Sequence, residues 1–191
     1  ENGQTIRFME NKGQLNNKEI LYYFENKKTA VYVEKNRLVF VAKEFQTEEH
    51  KFLEPETYEV GKHTFSVKFL NSNLESKVSL GDKFNTNYNY VIDPDPKKCI
   101  LHINAAQELT LDELYPGVDL RLYSTNDGDL EFDWILEKGS DYKKINLQFE
   151  GQDSLSLNSN GSLDVGLRFT DLSFHIPESY QILKSGKEKI D

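Results

Sequence analysis

The segment LRLYSTNDGDLEFDWIL, residues 120–136, contains the clearest fold signal in the sequence. Apolar and polar side chains alternate on both sides of the pair Asp127-Gly128, which places the apolar ones on one face of each run. Asp-Gly between two such runs favours the tight turn of a β-hairpin, because both residues tolerate a positive φ. The segment therefore predicts two antiparallel strands, each with one buried face and one solvated face.

The same alternation continues on either side of this segment. Residues 30–34 and 37–41 predict a second hairpin, and residues 63–70 and 144–149 predict two further strands. A polar Asn-Gly turn at residues 158–161 separates two short apolar runs. Strand-sized segments with polar turns between them therefore extend over most of the chain.

Helical signals are scarce, and residues 109–115, just before the turn at Pro116-Gly117, are the one candidate for a helical turn. Strands that recur every ~8–12 residues are typical of a sandwich or a barrel. The sequence therefore predicts an all-β fold: an antiparallel β-sandwich of two packed sheets, with a dozen or more short strands and at most one short helical turn. We expect residues 1–191 to form a single β-sandwich domain.

Composition excludes several classes of function. The chain has 191 residues, with 32 acidic and 23 basic side chains and a net charge of −9. Such a balance argues against sequence-independent binding of nucleic acid and against docking on anionic lipid. No apolar run approaches the ~18–20 residues of a membrane helix. We therefore expect no nucleic-acid partner and no membrane insertion, and the single cysteine, Cys99, allows no intramolecular disulfide.

Motifs of known chemistry are also missing from the sequence. The four histidines lie far apart and lack the spacing of zinc ligands. There is no Gly-x-Ser-x-Gly elbow and no glycine-rich phosphate loop. We therefore expect no catalytic residue, no metal site and no cofactor, with Ca²⁺ on the acidic loops as a lesser alternative.

Two groups of carboxylates are nevertheless candidates for the catalytic pair of a glycosidase. Such an enzyme needs two carboxylates about 5–10 Å apart in a cleft. Asp93 and Asp95 alternate with prolines on a stiff loop, and Glu131 and Asp133 alternate along one predicted strand. Because Glu131 and Asp133 lie opposite a face of large apolar residues, a solvated outer face explains them more simply. A carbohydrate-active enzyme on a β-sandwich remains the alternative interpretation.

Tyrosine and asparagine cluster just before that proline loop. Tyr88 and Tyr90 alternate with asparagines, a composition found on sugar-stacking and protein-binding surfaces. The candidate binding residues are therefore Tyr88, Tyr90, Asp93 and Asp95. Ordinary core and edge packing of the tyrosines is the competing explanation.

Six segments of the chain follow one another in a recognisable order: Phe8–Gln14, Asn87–Pro96, Leu114–Tyr123, Leu130–Trp134, Lys138–Asp141 and Ile176–Gln181. Taken together, they resemble an uncharacterised N-terminal β-rich domain of secreted Bacteroidetes multidomain proteins. No single motif is specific, but the ordered set spans nearly the whole chain. Two positions depart from the family pattern: Cys99 stands where the family usually has Trp, and Lys138 where it often has Pro.

In that family the domain precedes SBBP β-propeller repeats, PKD domains and a type IX secretion sorting domain. The resemblance implies a secreted or cell-surface location and a domain taken from a longer exported protein, and it implies no reaction. We expect a non-catalytic module that binds a glycan or an extracellular protein, contacts other domains of the same chain, or acts as a spacer. A role in folding or export of the parent protein is a further possibility.

Overall fold

The computed structural model describes residues 7–26, 28–48, 56–84, 88–91, 95, 99–125, 130–175 and 178–190. Within it the chain forms two compact units, residues 1–151 and residues 152–191. The expectation of a single domain over residues 1–191 stays a prediction.

The described residues of the first unit form antiparallel strands and one short 3-10 turn, Tyr142–Lys144. Its strands are β1 Phe8–Glu10, β2 Ile20–Glu25, β3 Thr29–Glu34, β4 Arg37–Glu48, β5 Glu56–Phe69, β6 Lys77–Lys83, β7 Tyr88–Tyr90, β8 Ile100–Ile103, β9 Ala105–Tyr115, β10 Val118–Ser124, β11 Leu130–Leu136 and β12 Leu147–Glu150.

Ten of these strands form one continuous sheet. Nine of them follow the order β11-β10-β9-β1-β2-β3-β4-β5-β12, and the tenth, β6, pairs with β9 on the edge opposite β10. Strands β7 and β8 form a separate pair. The large sheet is curled, because strands far apart in this order come into contact: Trp134 on β11 meets Phe69 on β5, with ring centroids 6.1 Å apart. Tyr115 on β9 lies 6.2 Å from the same indole.

Both predicted hairpins are present. In the first, Leu120 pairs with Trp134 across β10 and β11, while its Asp-Gly turn lies outside the described residues. In the second, Val31 pairs with Phe40 across β3 and β4. The alternation of apolar and polar side chains thus correctly predicted the local strand pairs.

The all-β class is confirmed, and one detail of the prediction differs. The described strands form one curled ten-stranded sheet and three smaller sheets, and a sandwich of two packed sheets is not confirmed. The candidate helical turn at residues 109–115 is not formed, because this segment lies in β9. There Leu109 pairs with Leu122 on one side and with Leu80 on the other, so two ladders outweigh a weak local helical preference.

The turn after β9 needs its glycine. Gly117 has φ +71°, in the left-handed region, as its place after Pro116 predicted. Asp119 fixes the approach to this turn, because its carboxylate accepts a hydrogen bond from the Glu113 backbone N–H at 2.6 Å.

The core of the first unit lies on the concave side of the curled sheet. Phe40 and Phe65 stack there with ring centroids 4.9 Å apart and planes 8° from parallel. The largest fully buried side chains in the described residues are Tyr115, Phe8, Phe65, Ile103, Leu109, Leu111, Leu114, Leu120, Leu122, Val31, Val33 and Val118.

The second unit has five short strands in two small sheets. Residues 154–174 form a three-stranded sheet in the order β13-β14-β15, and residues 180–189 form the hairpin β16-β17. The predicted Asn-Gly turn is confirmed, with Gly161 at φ +86° between β13 and β14. The strands are β13 Ser154–Leu157, β14 Leu163–Gly166, β15 Asp171–Phe174, β16 Tyr180–Leu183 and β17 Gly186–Lys189.

Candidate functional site

The two tyrosines of the predicted binding surface lie on β7, and both hydroxyl groups have partners within the chain. Tyr88 is half-buried, and its hydroxyl accepts a hydrogen bond from the Arg7 guanidinium at 3.0 Å. Tyr90 is 38% exposed, and its hydroxyl lies 3.0 Å from the Tyr23 hydroxyl. Hydrogen bonds to Arg7 and Tyr23 thus tie the tyrosine pair to the N-terminal part of the first unit.

Of the predicted carboxylates of the proline loop, the structure describes only one. Asp93 lies outside the described residues. Asp95 is exposed, and its backbone carbonyl accepts a weak hydrogen bond from the Cys99 thiol at 3.7 Å. The grouping of Tyr88, Tyr90, Asp93 and Asp95 as one binding site therefore stays a prediction.

Hydrogen bonds of Asn11 and Gln14 explain part of the N-terminal segment that resembles the family. The Asn11 carboxamide accepts hydrogen bonds from two backbone N–H groups and donates to two backbone carbonyls, which closes the loop between β1 and β2. The Gln14 side chain reaches the backbone carbonyl of Glu10 and the Tyr23 hydroxyl. Burial of Tyr23, together with its hydrogen bond to Tyr90, raises the pKa of the Tyr23 hydroxyl to about 12.

Glu131 and Asp133, the strand carboxylates of the enzymatic alternative, lie on the outer face of β11. The Tyr123 hydroxyl donates to Glu131 at 2.8 Å and lies 3.4 Å from Asp133. Arg121 is 3.6 Å from Asp133 and 2.5 Å from Glu108. This is a cross-strand network of paired charges, as expected for the solvated face of a sheet.

Elsewhere in the first unit, the structure has a shallow depression of about 360 Å³ at the β3–β4 turn. Strands β4, β5 and β12 and the loop before β2 form its walls. Its polar lining is the second candidate site, and it includes none of the residues predicted from sequence. The lining residues are Asn17, Glu34, Arg37, Val39, Thr64, Phe65, Ser66, Glu150 and Gly151.

An ion pair between a buried carboxylate and a part-exposed guanidinium lies in the lining of the depression. The Glu34 side chain is only 6% exposed, and one of its oxygens accepts a hydrogen bond from Arg37 Nε at 2.5 Å. The other oxygen has only a long contact, 3.4 Å, with the Asn17 amide. The carboxylate raises the pKa of the Arg37 guanidinium, mainly through that hydrogen bond. Arg37 is thus held as a cation at the edge of the depression.

This pair leaves hydrogen-bonding capacity unused. A carboxylate offers about four lone-pair sites, and Glu34 uses two of them within the described residues. Arg37 donates through Nε alone, so no described residue accepts from its two terminal nitrogens. Buried polar atoms are normally satisfied by protein, water or ligand. The depression therefore offers acceptors and donors side by side.

The opposite wall is polar but carries no unbalanced charge. Ser66 and Thr64 on β5 provide hydroxyl groups, and Glu150 is paired with Lys68 at 3.6 Å. Gly151 closes this wall at φ +94°, and a Cβ atom there would lie 2.8 Å from the Thr64 carbonyl oxygen. Each carboxylate of the depression thus has a cation beside it, which favours an uncharged ligand.

Sequence reasoning missed this site because its parts lie far apart in the chain. One local signal exists: Glu34 and Arg37 flank the two-residue turn of a predicted hairpin with opposite charges. Nothing in the sequence, however, indicates that Asn17 and Glu150 would lie beside that turn.

Two structural features are absent from the described residues. No group of three or more His, Cys, Asp or Glu side chains is arranged there to hold a metal ion. The part of the chain that the structure describes also has no helix long and apolar enough to cross a membrane.

Comparison with known proteins identifies a family but no activity. A family model described as a domain of unknown function, DUF7948, matches residues 8–191. No curated protein and no solved structure matches the chain significantly. Since the match covers nearly the whole chain, the chain belongs to the DUF7948 family.

Proposed function

We propose that this member of the DUF7948 family is a non-catalytic binding module, and that it binds uncharged saccharide hydroxyl groups in the depression at the β3–β4 turn. The observation that carries the proposal is Glu34, a carboxylate that is 6% exposed, lines the depression and retains unused acceptor sites. Arg37 beside it retains unused donors.

Saccharide chemistry suits this arrangement. A hydroxyl group both donates and accepts, so neighbouring hydroxyls of a sugar can donate to Glu34 and accept from Arg37 at the same time. Phe65 is only 1% exposed, so of the two side chains Val39 and Phe65 in the lining mainly Val39 offers apolar contact to a ligand. An apolar peptide side chain would leave the unused lone pairs of the buried carboxylate without a donor, whereas a polyol would donate to them.

The non-catalytic part of the proposal rests on the placement of the other carboxylates. Glu131 and Asp133 are engaged by Tyr123 and Arg121 on the outer face of β11. General-acid catalysis needs a carboxylic acid held beside the bond that breaks. The ion pairs and hydrogen bonds around these two groups favour a role in sheet pairing instead.

We also propose that the chain belongs to an exported multidomain protein of Bacteroidetes and works at the cell surface or outside the cell. The ordered resemblance over residues 8–181 supports this location. Protease treatment of intact cells followed by immunoblotting tests it, because a surface-exposed domain is degraded while cytoplasmic markers survive. Protection of the domain in intact cells, with none in the culture medium, would contradict the location.

A glycan array probed with the full chain, followed by calorimetry on the saccharides that bind, tests the proposed site. Glu34→Gln is expected to weaken binding at least about tenfold, because it removes charge-assisted hydrogen bonds. Asp133→Asn makes the same chemical change outside the depression and is expected to leave binding unchanged. Thr64→Val, an isosteric change at an exposed position, provides a second test that does not disturb the ion pair.

Three outcomes overturn the proposal. Absence of binding across the array removes saccharide recognition. Binding that is unchanged in both Glu34→Gln and Thr64→Val places the site elsewhere. Hydrolysis of a bound saccharide that is lost in Glu131→Gln would instead support the enzymatic alternative.

A further inference from the structure

Tyr32 on strand β3 borders the proposed saccharide site without lining the depression itself. Side chains alternate along a strand, so Tyr32 shares one face of β3 with Glu34, roughly 7 Å further along. Val31 and Val33 point to the other face and are fully buried in the core. Across the sheet, Tyr32 pairs with Val39 on β4, which lines the depression. The Tyr32 ring therefore lies beside the depression, on the face away from the core.

The Tyr32 side chain is half-buried and is supported from one side. Its ring lies beside that of Tyr23 on β2, with centroids 6.4 Å apart and planes 31° from parallel. Tyr23 is only 6% exposed, and its hydroxyl contacts Tyr90 at 3.0 Å and Gln14 at 3.5 Å. No described residue hydrogen-bonds to the Tyr32 hydroxyl, so this group is available both as a donor and as an acceptor.

A tyrosine in this setting suits the ring of a sugar. One face of a pyranose carries C–H groups and its rim carries hydroxyls, so a single sugar offers apolar contact and hydrogen bonds together. Tyrosine matches this with a rigid apolar ring and one polar hydroxyl, and it loses little conformational entropy when a ligand binds. The unused groups of Glu34 and Arg37 and the Tyr32 ring thus favour the same class of ligand, on one face of the sheet.

We infer that the saccharide bound here is a chain of at least two sugars, with one ring held by Glu34 and Arg37 and the next lying over the Tyr32 ring. The inference rests on the proposed function of the depression and adds a second subsite to it. A ring that fills the depression leaves its neighbour in the chain beside Tyr32, because Tyr32 follows Glu34 on the same face of β3. Tyr32 therefore selects saccharide chains over free monosaccharides.

Isothermal titration calorimetry of the full chain with matched monosaccharides and disaccharides tests the second subsite. The uncharged probes are glucose with cellobiose and maltose, mannose with mannobiose, and N-acetylglucosamine with diacetylchitobiose. In a set that binds, the disaccharide is expected to bind about fivefold more tightly than its monosaccharide, which is the scale of one aromatic contact.

Tyr32→Leu keeps an apolar side chain but removes the aromatic face and the hydroxyl. It is expected to abolish the advantage of the disaccharide and to leave the affinity for the monosaccharide unchanged, a split that a general loss of structure would not produce. Tyr58→Leu makes the same change on β5, six residues and roughly 20 Å from Thr64 of the depression, and is expected to alter neither affinity.

Saturation-transfer NMR on the unmodified chain gives a second measurement that needs no variant. Irradiation of tyrosine ring protons is expected to transfer saturation to C–H protons of the second sugar, and absence of this transfer overturns the inference. Equal affinities for monosaccharide and disaccharide also overturn it, while the proposed function stands. An advantage of the disaccharide that persists in Tyr32→Leu places the second ring elsewhere. Absence of binding by every probe overturns the proposed function and this inference together.

Discussion

Residues 1–151 and residues 152–191 are built from the same kind of antiparallel strand, yet they differ in what those strands bury. Of the buried apolar residues that the structure describes, only Val165 and Leu167 belong to the second unit. In the first unit, strands such as β9 pair on both edges and cover one face of a core. In the second unit, β13, β16 and β17 are exposed at every residue. Alternation in sequence therefore specifies a strand, whereas stability depends on what covers it.

The largest expected effect comes from truncating the core of the first unit. Phe65→Ala is expected to destabilise that unit by about 4 kcal/mol, because it removes a ring that is 1% exposed and stacks on Phe40. Guanidinium denaturation followed by the fluorescence of the single tryptophan, Trp134, reports on this unit. Leu157→Ala in the second unit, at a residue 72% exposed, is expected to cost less than about 0.5 kcal/mol. Equal losses of unfolding free energy at the two sites would contradict the difference between the two units.

Replacing one glycine in each unit is expected to give a smaller difference in stability. Gly151→Ala is expected to cost about 2–3 kcal/mol, because it adds a clash with the Thr64 carbonyl to the strain of φ +94°. Gly186→Ala in the hairpin has φ +127° but open space around it, so about 1 kcal/mol of backbone strain is expected. Thermal unfolding measures the first change, and amide hydrogen exchange of β16 and β17 measures the second. A larger loss at Gly186 would show that the second unit is the more tightly packed.

Alkaline pH is expected to destabilise the first unit more than the second. The expected difference in unfolding free energy is comparable to that of the glycine substitutions or smaller. The folded pKa of Tyr23 is about 12 and its ordinary value is 10.0, so the unfolded chain loses this proton first. The stabilisation is complete below pH 10 and is lost as the pH rises to about 12, with a loss of up to about 2 kcal/mol. Denaturation at pH 9, 10, 11 and 12 measures it, and Tyr23→Phe should flatten the decline.

Tyr180, exposed in the second unit, provides the control for that measurement. Its hydroxyl donates to Glu178, which raises the pKa of Tyr180 while leaving it accessible to solvent. Tyr180→Phe is therefore expected to leave the alkaline decline of the first unit unchanged. A decline that persists in Tyr23→Phe would mean that another buried tyrosine, such as Tyr115, is responsible.

Local strand pairing could be predicted from sequence because its determinants are neighbours in the chain. The apolar face of residues 130–136 and the short turn at Lys35-Asn36 each specify a hairpin within about 20 residues. The curl of the large sheet could not be predicted, because it depends on where β1 pairs. Phe8 pairs with Ala106, and no pattern near either residue indicates the other.

The candidate sites divide in the same way. Tyr88 and Tyr90 were found because they are adjacent in sequence, and the structure shows that their hydroxyl groups are used within the chain. The depression was missed because Glu34 meets Asn17 and the strands β5 and β12 only after folding. A site assembled from distant segments is only partly visible in the local sequence. Here the local signal is the pair of opposite charges, Glu34 and Arg37, around one turn.

The pairing of β1 with β9 also has a consequence for the order of folding. Among the described residues, only two ladder positions, Phe8 with Ala106 and Met9 with Ala105, join the β2–β5 side of the large sheet to the β9–β11 side. Closing this junction brings together segments about 98 residues apart, which is entropically slower than closing a hairpin. During synthesis, the strands β1 to β5 emerge first and can pair early, because β1 also pairs with β2. The other edge of β1 stays open until β9 has emerged.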